Sequence, residues 1–134
     1  MRRYLVDTHV LLWWLGGQSK RLGRAARRAV EAAGAGGVEL FISVVSLWEV
    51  ALLHDEGSIR LSAGFSAWCD AVEATPGLGV VPLLRADVEA ARMLGTLRDP
   101  HGRLIAGTAL RLSVPLISAD RRMRSSAVRV LWDR

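Results

Sequence analysis

The chain has 134 residues, 51% of them hydrophobic, which is the length of one domain with enough apolar side chains to bury a core. The apolar run VLLWWLGG is shorter than the ~18 residues of a membrane span, and it follows Asp7 and His9, so it is also a poor signal peptide. The lone Cys69 excludes an internal disulfide and suits a reducing compartment. We therefore expect one globular domain, residues 1–134, in the cytoplasm and without a membrane anchor.

The charge balance favours a polyanionic partner. Eighteen Lys and Arg against thirteen Asp and Glu give a net charge of +5, and every basic residue except Lys20 is arginine. Arginine contacts phosphate through two parallel hydrogen bonds and stacks on bases, so this composition is typical of proteins that bind nucleic acid. The alternative is a GC-rich genome, which encodes arginine where others encode lysine.

Strand-type and helix-type segments alternate along the chain. Strands are predicted at 3–8, 39–45, 78–83, 115–120 and 128–133, and helices at 19–34, 46–57, 63–75, 85–97 and from about residue 99 onward, while the apolar run HVLLWWL follows the first strand. Ser19 and Gly34 are the expected caps of the first of these helices. Because the strands are continuous apolar runs, the chain is predicted to form an α/β fold, a three-layer α/β/α sandwich around a parallel sheet of about five strands.

Three carboxylates fall near one edge of this predicted sheet: Asp7 at the end of the first strand, Glu49 early in the helix after the second, and Asp120 just after the fourth. Asp99, at the start of the helix before the fourth strand, joins them if that helix packs over the same edge. In open parallel sheets, ligands bind beyond the carboxyl ends of the strands. Carboxylates held together repel one another unless a cation lies among them, and Mg²⁺ or Mn²⁺ prefers oxygen ligands. Such an ion can activate water for attack on a phosphodiester. The pattern therefore indicates a metal-dependent nuclease site.

Each carboxylate also has a purely structural interpretation. In SLWE, Ser46 and Glu49 have the spacing of a capping box. Asp99, which precedes a proline, is an ordinary helix N-cap, and Asp120, which precedes two arginines, fits a turn or a surface ion pair. Asp7 is harder to explain in this way, because a charge is unusual at the end of an apolar strand. All four interpretations would have to hold at one sheet edge, so we favour the metal site.

Other possible sites are less well formed. The histidines are scattered without zinc-ligand spacing, GAGG precedes a strand instead of following one, and the serines lack a nucleophile-elbow pattern. Five tryptophans could stack on bases, but their spacing within apolar runs fits core or dimer contacts better. They are Trp13, Trp14, Trp48, Trp68 and Trp132.

The chain resembles the PIN-domain family, and within it the VapC-type ribonuclease toxins of bacterial toxin–antitoxin systems, in five stretches that cover nearly its whole length: LVDTHVLLWWL, VSLWEVALLHDEGSIRL, RDPHGRLIAGTAL, PLISADRRM and VRVLW. The resemblance implies an Mg²⁺- or Mn²⁺-dependent endoribonuclease that cuts single-stranded regions of structured RNA. It further implies a homodimer and a small VapB-type antitoxin that occludes the metal site.

The resemblance also implies roles for individual residues. The expected metal-binding and catalytic acids are Asp7, Glu49, Asp99 and Asp120. Thr8, Ser46 and Ser118 match positions that carry hydroxyls near the site. Apart from the resemblance, the basic charge of the chain suggests that Arg103, together with Arg98 and Arg121, could contact RNA phosphates.

One position departs from the family pattern. The usual stretch reads D-P-x-D-R-L-I-A, whereas this chain has DPHGRLIA, so Gly102 stands where the family places its most widely shared acid of this stretch. Asp99 is kept and lies three residues earlier, on the same side of the first helical turn, so it could reach a metal directly or through water. The alternative is a catalytically degenerate PIN domain that binds an antitoxin or RNA without cutting. A DNA nuclease with the same chemistry ranks below both.

Overall fold

A computed structural model of the protein describes residues 1–133; Arg134, which the predicted domain 1–134 includes, lies outside them. The strands are β1 (Arg2–Val6), β2 (Val38–Ser43), β3 (Leu78–Val81), β4 (Leu116–Ile117) and β5 (Val130–Leu131). The α-helices are α1 (Thr8–Leu15), α2 (Arg24–Ala32), α3 (Val44–Asp55), α4 (Phe65–Glu73), α5 (Arg85–Arg92) and α6 (Pro100–Leu112). None of these helices is long and apolar enough to cross a bilayer.

The five strands form one parallel sheet in the order β3-β2-β1-β4-β5, which confirms the predicted fold class. The chain builds outward from β1 to β2 and β3, and then crosses to the other side of β1 for β4 and β5. The strand order therefore reverses between β1 and β4, and the carboxyl ends of these two strands are where such sheets bind ligands.

Apolar side chains from both faces of the sheet are buried against helices. In β1, Leu5 packs into one core cluster together with Ile105 of α6, whereas the next residue, Val6, packs into a second cluster together with Val10 of α1 and Val30 of α2. The tryptophans mostly follow the predicted core interpretation: Trp13, Trp14, Trp68 and Trp132 pack against the second cluster, and Trp48 is 57% exposed. The sheet is thus covered on both sides, as the sandwich prediction requires.

Three expected helix starts are wrong. The helix predicted from residue 63 begins at Phe65. The helix predicted from Ser19 begins at Arg24, after a short 3₁₀ turn at Ser19–Arg21. A β-carbon at Gly23 would lie 2.6 Å from the carbonyl oxygen of Trp132, and the same carbonyl accepts a hydrogen bond from the Ala26 N–H, so contact with the end of β5 sets where this helix begins.

The helix predicted from residue 46 begins at Val44, because Ser43 and not Ser46 is its N-cap. The Ser43 hydroxyl accepts a hydrogen bond from the Val45 N–H at 3.0 Å. Ser46 lies within the helix instead, and its buried side chain is available for a different contact.

Helices α5 and α6 pack closely against each other. The buried Asp87 carboxylate caps α5 by accepting from the Leu84 N–H, and it forms an ion pair with Arg111 of α6. Gly107 lets the two backbones approach: a β-carbon there would lie 2.6 Å from the Asp87 carbonyl oxygen and 2.9 Å from the Ala91 nitrogen.

The close approach at Gly107 predicts that a methyl group there is destabilising. We expect Gly107→Ala to lower the free energy of unfolding by about 1–3 kcal/mol, because the obstructing atoms are backbone and cannot rotate away. Gly95→Ala is the matched control, since nothing lies within 4 Å of a β-carbon at that position. Denaturant unfolding of the three proteins measures the effect, and equal losses in both variants would contradict it.

Candidate active site

Asp7 lies at the reversal of strand order, directly after β1. Its Oδ1 accepts a hydrogen bond from the Thr8 N–H at 2.9 Å, so the carboxylate is the N-cap of α1. Its Oδ2 accepts a hydrogen bond from the Ser118 hydroxyl at 2.7 Å, just beyond β4. Two neighbouring parallel strands therefore fix this carboxylate in place.

Glu49 is brought to the same edge by α3. Thr8 Oγ1 is 2.7 Å from Glu49 Oε1 and 2.8 Å from Ser46 Oγ, in a largely buried contact between α1 and α3. Because a hydroxyl has one hydrogen to donate, and the carboxylate is the stronger acceptor, Ser46 supplies the hydrogen of the other bond. The capping-box interpretation of Ser46 and Glu49 is therefore wrong, since the helix begins two residues earlier and Ser46 orients Thr8 instead.

Asp120 follows β4 and carries an arginine on its carboxylate. Its backbone N–H donates to Ser118 Oγ at 3.0 Å, so Ser118 contacts both Asp7 and Asp120. The carboxylate accepts from the backbone N–H and from two guanidinium nitrogens of Arg122, at 3.0 to 3.2 Å. Both structural interpretations considered for Asp120, a turn and an ion pair, are confirmed.

Asp99 caps α6, as predicted, by accepting a hydrogen bond from the Gly102 N–H at 3.0 Å. A β-carbon at Gly102 would lie 3.0 Å from Asp99 Oδ2 and 3.1 Å from Cε of Met123, so this glycine faces Asp99. Together with Arg98, Arg122 and Met123, Asp99 and Asp120 line one shallow depression. His101, in the first turn of the same helix, places Nδ1 at 3.9 Å from Glu49 Oε2.

Arg103 lies differently from the other expected site residues. Its guanidinium donates to the carbonyl oxygens of Ala91 and Arg92 at 3.0 to 3.4 Å, at the C-terminal end of α5. These contacts join α5 to α6. Nothing local in the sequence indicates the Arg103 contacts or the approach of Met123 to Gly102, because both depend on how separate elements pack.

The carboxylates affect one another electrostatically. Burial raises the pKa of Asp7 in spite of its hydrogen bonds, and the charge of Asp120 raises it further. Burial also raises the pKa of Glu49, and the charges of Asp7 and Asp99 add to that rise. Negative charge is therefore concentrated at this edge, where a cation would be favourable.

Arg122 makes Asp120 an exception. Burial raises the pKa of Asp120, but hydrogen bonds from the Arg122 side chain and backbone, together with the arginine charge, outweigh it and leave the pKa lowered. Asp120 is thus held ionised by a cation from the chain itself.

The donor atoms suit a hard divalent cation, although they do not form a complete ligand shell. Among residues 1–133, no three His, Cys, Asp or Glu side chains are close enough together to hold a metal ion. Mg²⁺ usually binds through one or two carboxylates and keeps several waters, so it does not need such a shell. Asp7 and Glu49 meet this requirement in their chemistry, since both are partly buried carboxylates that supply oxygen donors.

Comparison with known proteins identifies a family and similar folds. The PIN domain family model matches residues 4–128. Ribonuclease VapC22 of Mycobacterium tuberculosis is 32% identical over 126 residues, which are 93% of this chain and 92% of the relative.

Solved structures match in fold. VapBC2 from Rickettsia felis, bound to a DNA fragment from its promoter, aligns with a TM-score of 0.71 at 14% identity over 98% of this chain and 99% of that one. A toxin–antitoxin complex from Klebsiella pneumoniae aligns with a TM-score of 0.66 at 18% identity over 96% and 95%.

The raised pKa of Asp7 predicts a pH-dependent cost in stability. Because the folded pKa lies above the ordinary 3.8, the protonated carboxyl stabilises the fold below that pH, and this contribution is lost as pH rises through the folded pKa. We therefore expect the free energy of unfolding of Asp7→Asn, measured in EDTA, to rise relative to that of wild type as the pH increases from 3.8 through the folded pKa of Asp7. Denaturant unfolding at a series of pH values measures the difference, and a difference that stays constant with pH would contradict the prediction.

Proposed function

Because the chain belongs to the PIN domain family, we propose that it is a divalent-metal-dependent endoribonuclease, the toxin of a VapBC-type toxin–antitoxin system. The observation that carries the proposal is the position of Asp7, fixed by two strand ends at the reversal of strand order and coupled in charge to Glu49 and Asp120. The similarity to Ribonuclease VapC22 supports RNA as the substrate, and the structural neighbours support an antitoxin as the partner.

Asp7, Glu49 and Asp120, assisted by Asp99, would hold Mg²⁺ or Mn²⁺. The chemistry that a bound divalent cation supplies is an acidified water and charge stabilisation at a phosphodiester. The chain's own part is to hold the acids: the Ser118 hydroxyl orients Asp7, and the Thr8–Ser46 pair orients Glu49.

Arginines around the depression supply the contacts to RNA in this proposal. Arg98 and Arg122 line it, and Arg121 begins the turn that follows Asp120. Arg122, whose guanidinium binds the Asp120 carboxylate, would contact an RNA phosphate beside it. Arg103 has a supporting role, since its guanidinium holds the end of α5.

The partners that we propose are RNA, a small VapB-type antitoxin and a second copy of the chain. The net charge of +5 suits RNA, and an antitoxin that covered the carboxylate edge would keep RNA from it.

Removing the Asp7 charge tests the mechanism. We expect Asp7→Asn to lower Mg²⁺-dependent cleavage of single-stranded RNA by at least about 100-fold, the upper end of what loss of a supporting residue costs a metal site. Asp55→Asn, an exposed acid at the end of α3, is the matched control and should cut like wild type. Cleavage that survives EDTA, or that prefers DNA in a parallel digestion, would overturn the proposal.

Gly102 separates an active enzyme from a degenerate one. Because Asp99 Oδ2 lies 3.0 Å from a β-carbon position at Gly102, we expect Asp99 to supply the missing carboxylate, so that wild type cuts RNA within about tenfold of Gly102→Asp. Gly102→Asn has the same size without the charge and controls for crowding against Met123. If only Gly102→Asp cuts, the chain is a binding module and Asp99 does not replace the family acid.

A further inference from the structure

The four acids of the carboxylate edge, Asp7, Glu49, Asp99 and Asp120, differ in the groups that bind them. The hydrogen bonds that the first three accept come from backbone N–H groups and from hydroxyls, which are neutral donors. Asp120 instead accepts two hydrogen bonds from the Arg122 guanidinium. In the part of the chain that the structure describes, Asp120 is the only acid of this edge in an ion pair with an arginine or a lysine.

The guanidinium of Arg122 engages both oxygens of the Asp120 carboxylate. Its Nε lies 3.1 Å from Oδ1 and its Nη2 lies 3.2 Å from Oδ2, while the Arg122 backbone N–H donates to Oδ1 at 3.0 Å. A carboxylate oxygen has about two lone-pair positions, so Oδ1 is saturated and Oδ2 keeps one position. A divalent cation that used this position would be repelled by the positive charge of the guanidinium next to it.

Asp99 also acts on this arginine. The hydrogen bond and the charge of Asp120 raise the pKa of the Arg122 guanidinium, and the charge of Asp99 adds to that rise. Asp99, Asp120 and Arg122 line the same shallow depression. Both acids therefore favour a positive charge at the place where Arg122 supplies one.

We propose that Arg122 is an internal counter-ion that competes with the divalent cation for Asp120, so that the chain binds the metal more weakly than its acids alone would. The inference rests on the proposed metal-dependent function and adds to it a residue that sets the affinity for the metal. In the metal-free chain, the same contact offsets part of the repulsion between Asp120 and its acidic neighbours.

The competition is limited because the ion pair is exposed. The Arg122 side chain is 72% exposed and that of Asp120 is 30% exposed, so water screens their attraction. No buried packing has to be broken when the guanidinium moves away from the carboxylate. Arg122 therefore lowers the affinity for the metal without closing the site.

Orientation of Asp120 does not depend on the guanidinium. The Arg122 backbone N–H holds Oδ1 as the cap of the 3₁₀ turn Arg121–Ser125, and the Asp120 N–H donates to Ser118 Oγ at 3.0 Å. Both contacts remain when the Arg122 side chain is replaced. The side chain thus contributes mainly its charge, and removal of that charge should strengthen metal binding.

Metal binding measured without RNA tests the inference, because cleavage rates would combine this role of Arg122 with its proposed contact to RNA. In calorimetric titrations at physiological ionic strength, we expect Arg122→Gln to bind Mn²⁺ roughly three- to fivefold more tightly than wild type, the contribution of one exposed ion pair. Arg124→Gln is the matched control, since it removes an exposed arginine of the same turn that forms no ion pair with a described acid. It should change the affinity by less than about twofold, because salt screens the more distant charge.

A second measurement follows the guanidinium itself. Addition of Mg²⁺ to wild type should shift the Nε–H resonance of Arg122 in NMR spectra and leave that of Arg124 in place, with the two variants providing the assignments. A resonance of Arg122 that does not respond to saturating Mg²⁺ would contradict the competition.

The outcomes separate this inference from the proposed function. If Arg122→Gln binds Mn²⁺ no more tightly than Arg124→Gln does, the inference is wrong, and binding by wild type still supports the metal-dependent nuclease. If Arg122→Gln binds more weakly than wild type, the guanidinium supports the metal site instead of competing with it. If neither wild type nor the variants bind Mn²⁺, the proposed metal dependence fails together with the inference.

Discussion

The hydrogen bond from Ser118 Oγ to Asp7 Oδ2 joins two positions 111 residues apart in the chain. It forms because β1 and β4 pair in parallel with Leu5 opposite Leu116 and Val6 opposite Ile117, which brings their carboxyl ends level. No crossover connection joins β1 directly to β4, so the edge between them stays open to a ligand. The rest of the site extends from this bond, since the same Ser118 hydroxyl accepts from the Asp120 N–H, and Thr8, next to Asp7, holds Glu49.

The edge is electrostatically unfavourable in the metal-free chain. Burial and mutual repulsion both raise the pKa values of Asp7 and Glu49, so ionising them at neutral pH costs folding free energy. The remaining structure offsets this cost through a sheet buried on both faces and through the close packing of α5 on α6. Sites that bind cations commonly retain such a cost, because the repulsion that destabilises the empty site is what favours the ion.

The general arrangement could be predicted from the sequence, whereas contacts between elements could not. Apolar strands alternating with helices predict the parallel sheet, and the rule on strand ends places Asp7 and Asp120 correctly. The start of α3 is ambiguous in the sequence because Ser43 and Ser46 are both good N-caps, and only the contact of Ser46 with Thr8 distinguishes them. The Arg21–Trp13 contact depends on how the turn at Ser19–Arg21 folds back on α1, which no local pattern reveals.

The double role of Asp7 restricts which side chains can replace it. Its Oδ1 begins α1, and its Oδ2 connects α1 to β4, so a side chain that removes the charge must still offer a hydrogen-bond acceptor at the helix start. Asparagine does so, and the Ser118 hydroxyl can then accept from the amide instead of donating. Alanine would remove the helix cap together with the charge, which costs about 1 kcal/mol by itself. A substitution at this position therefore removes the charge and keeps the fold only if the new side chain has the same shape as aspartate.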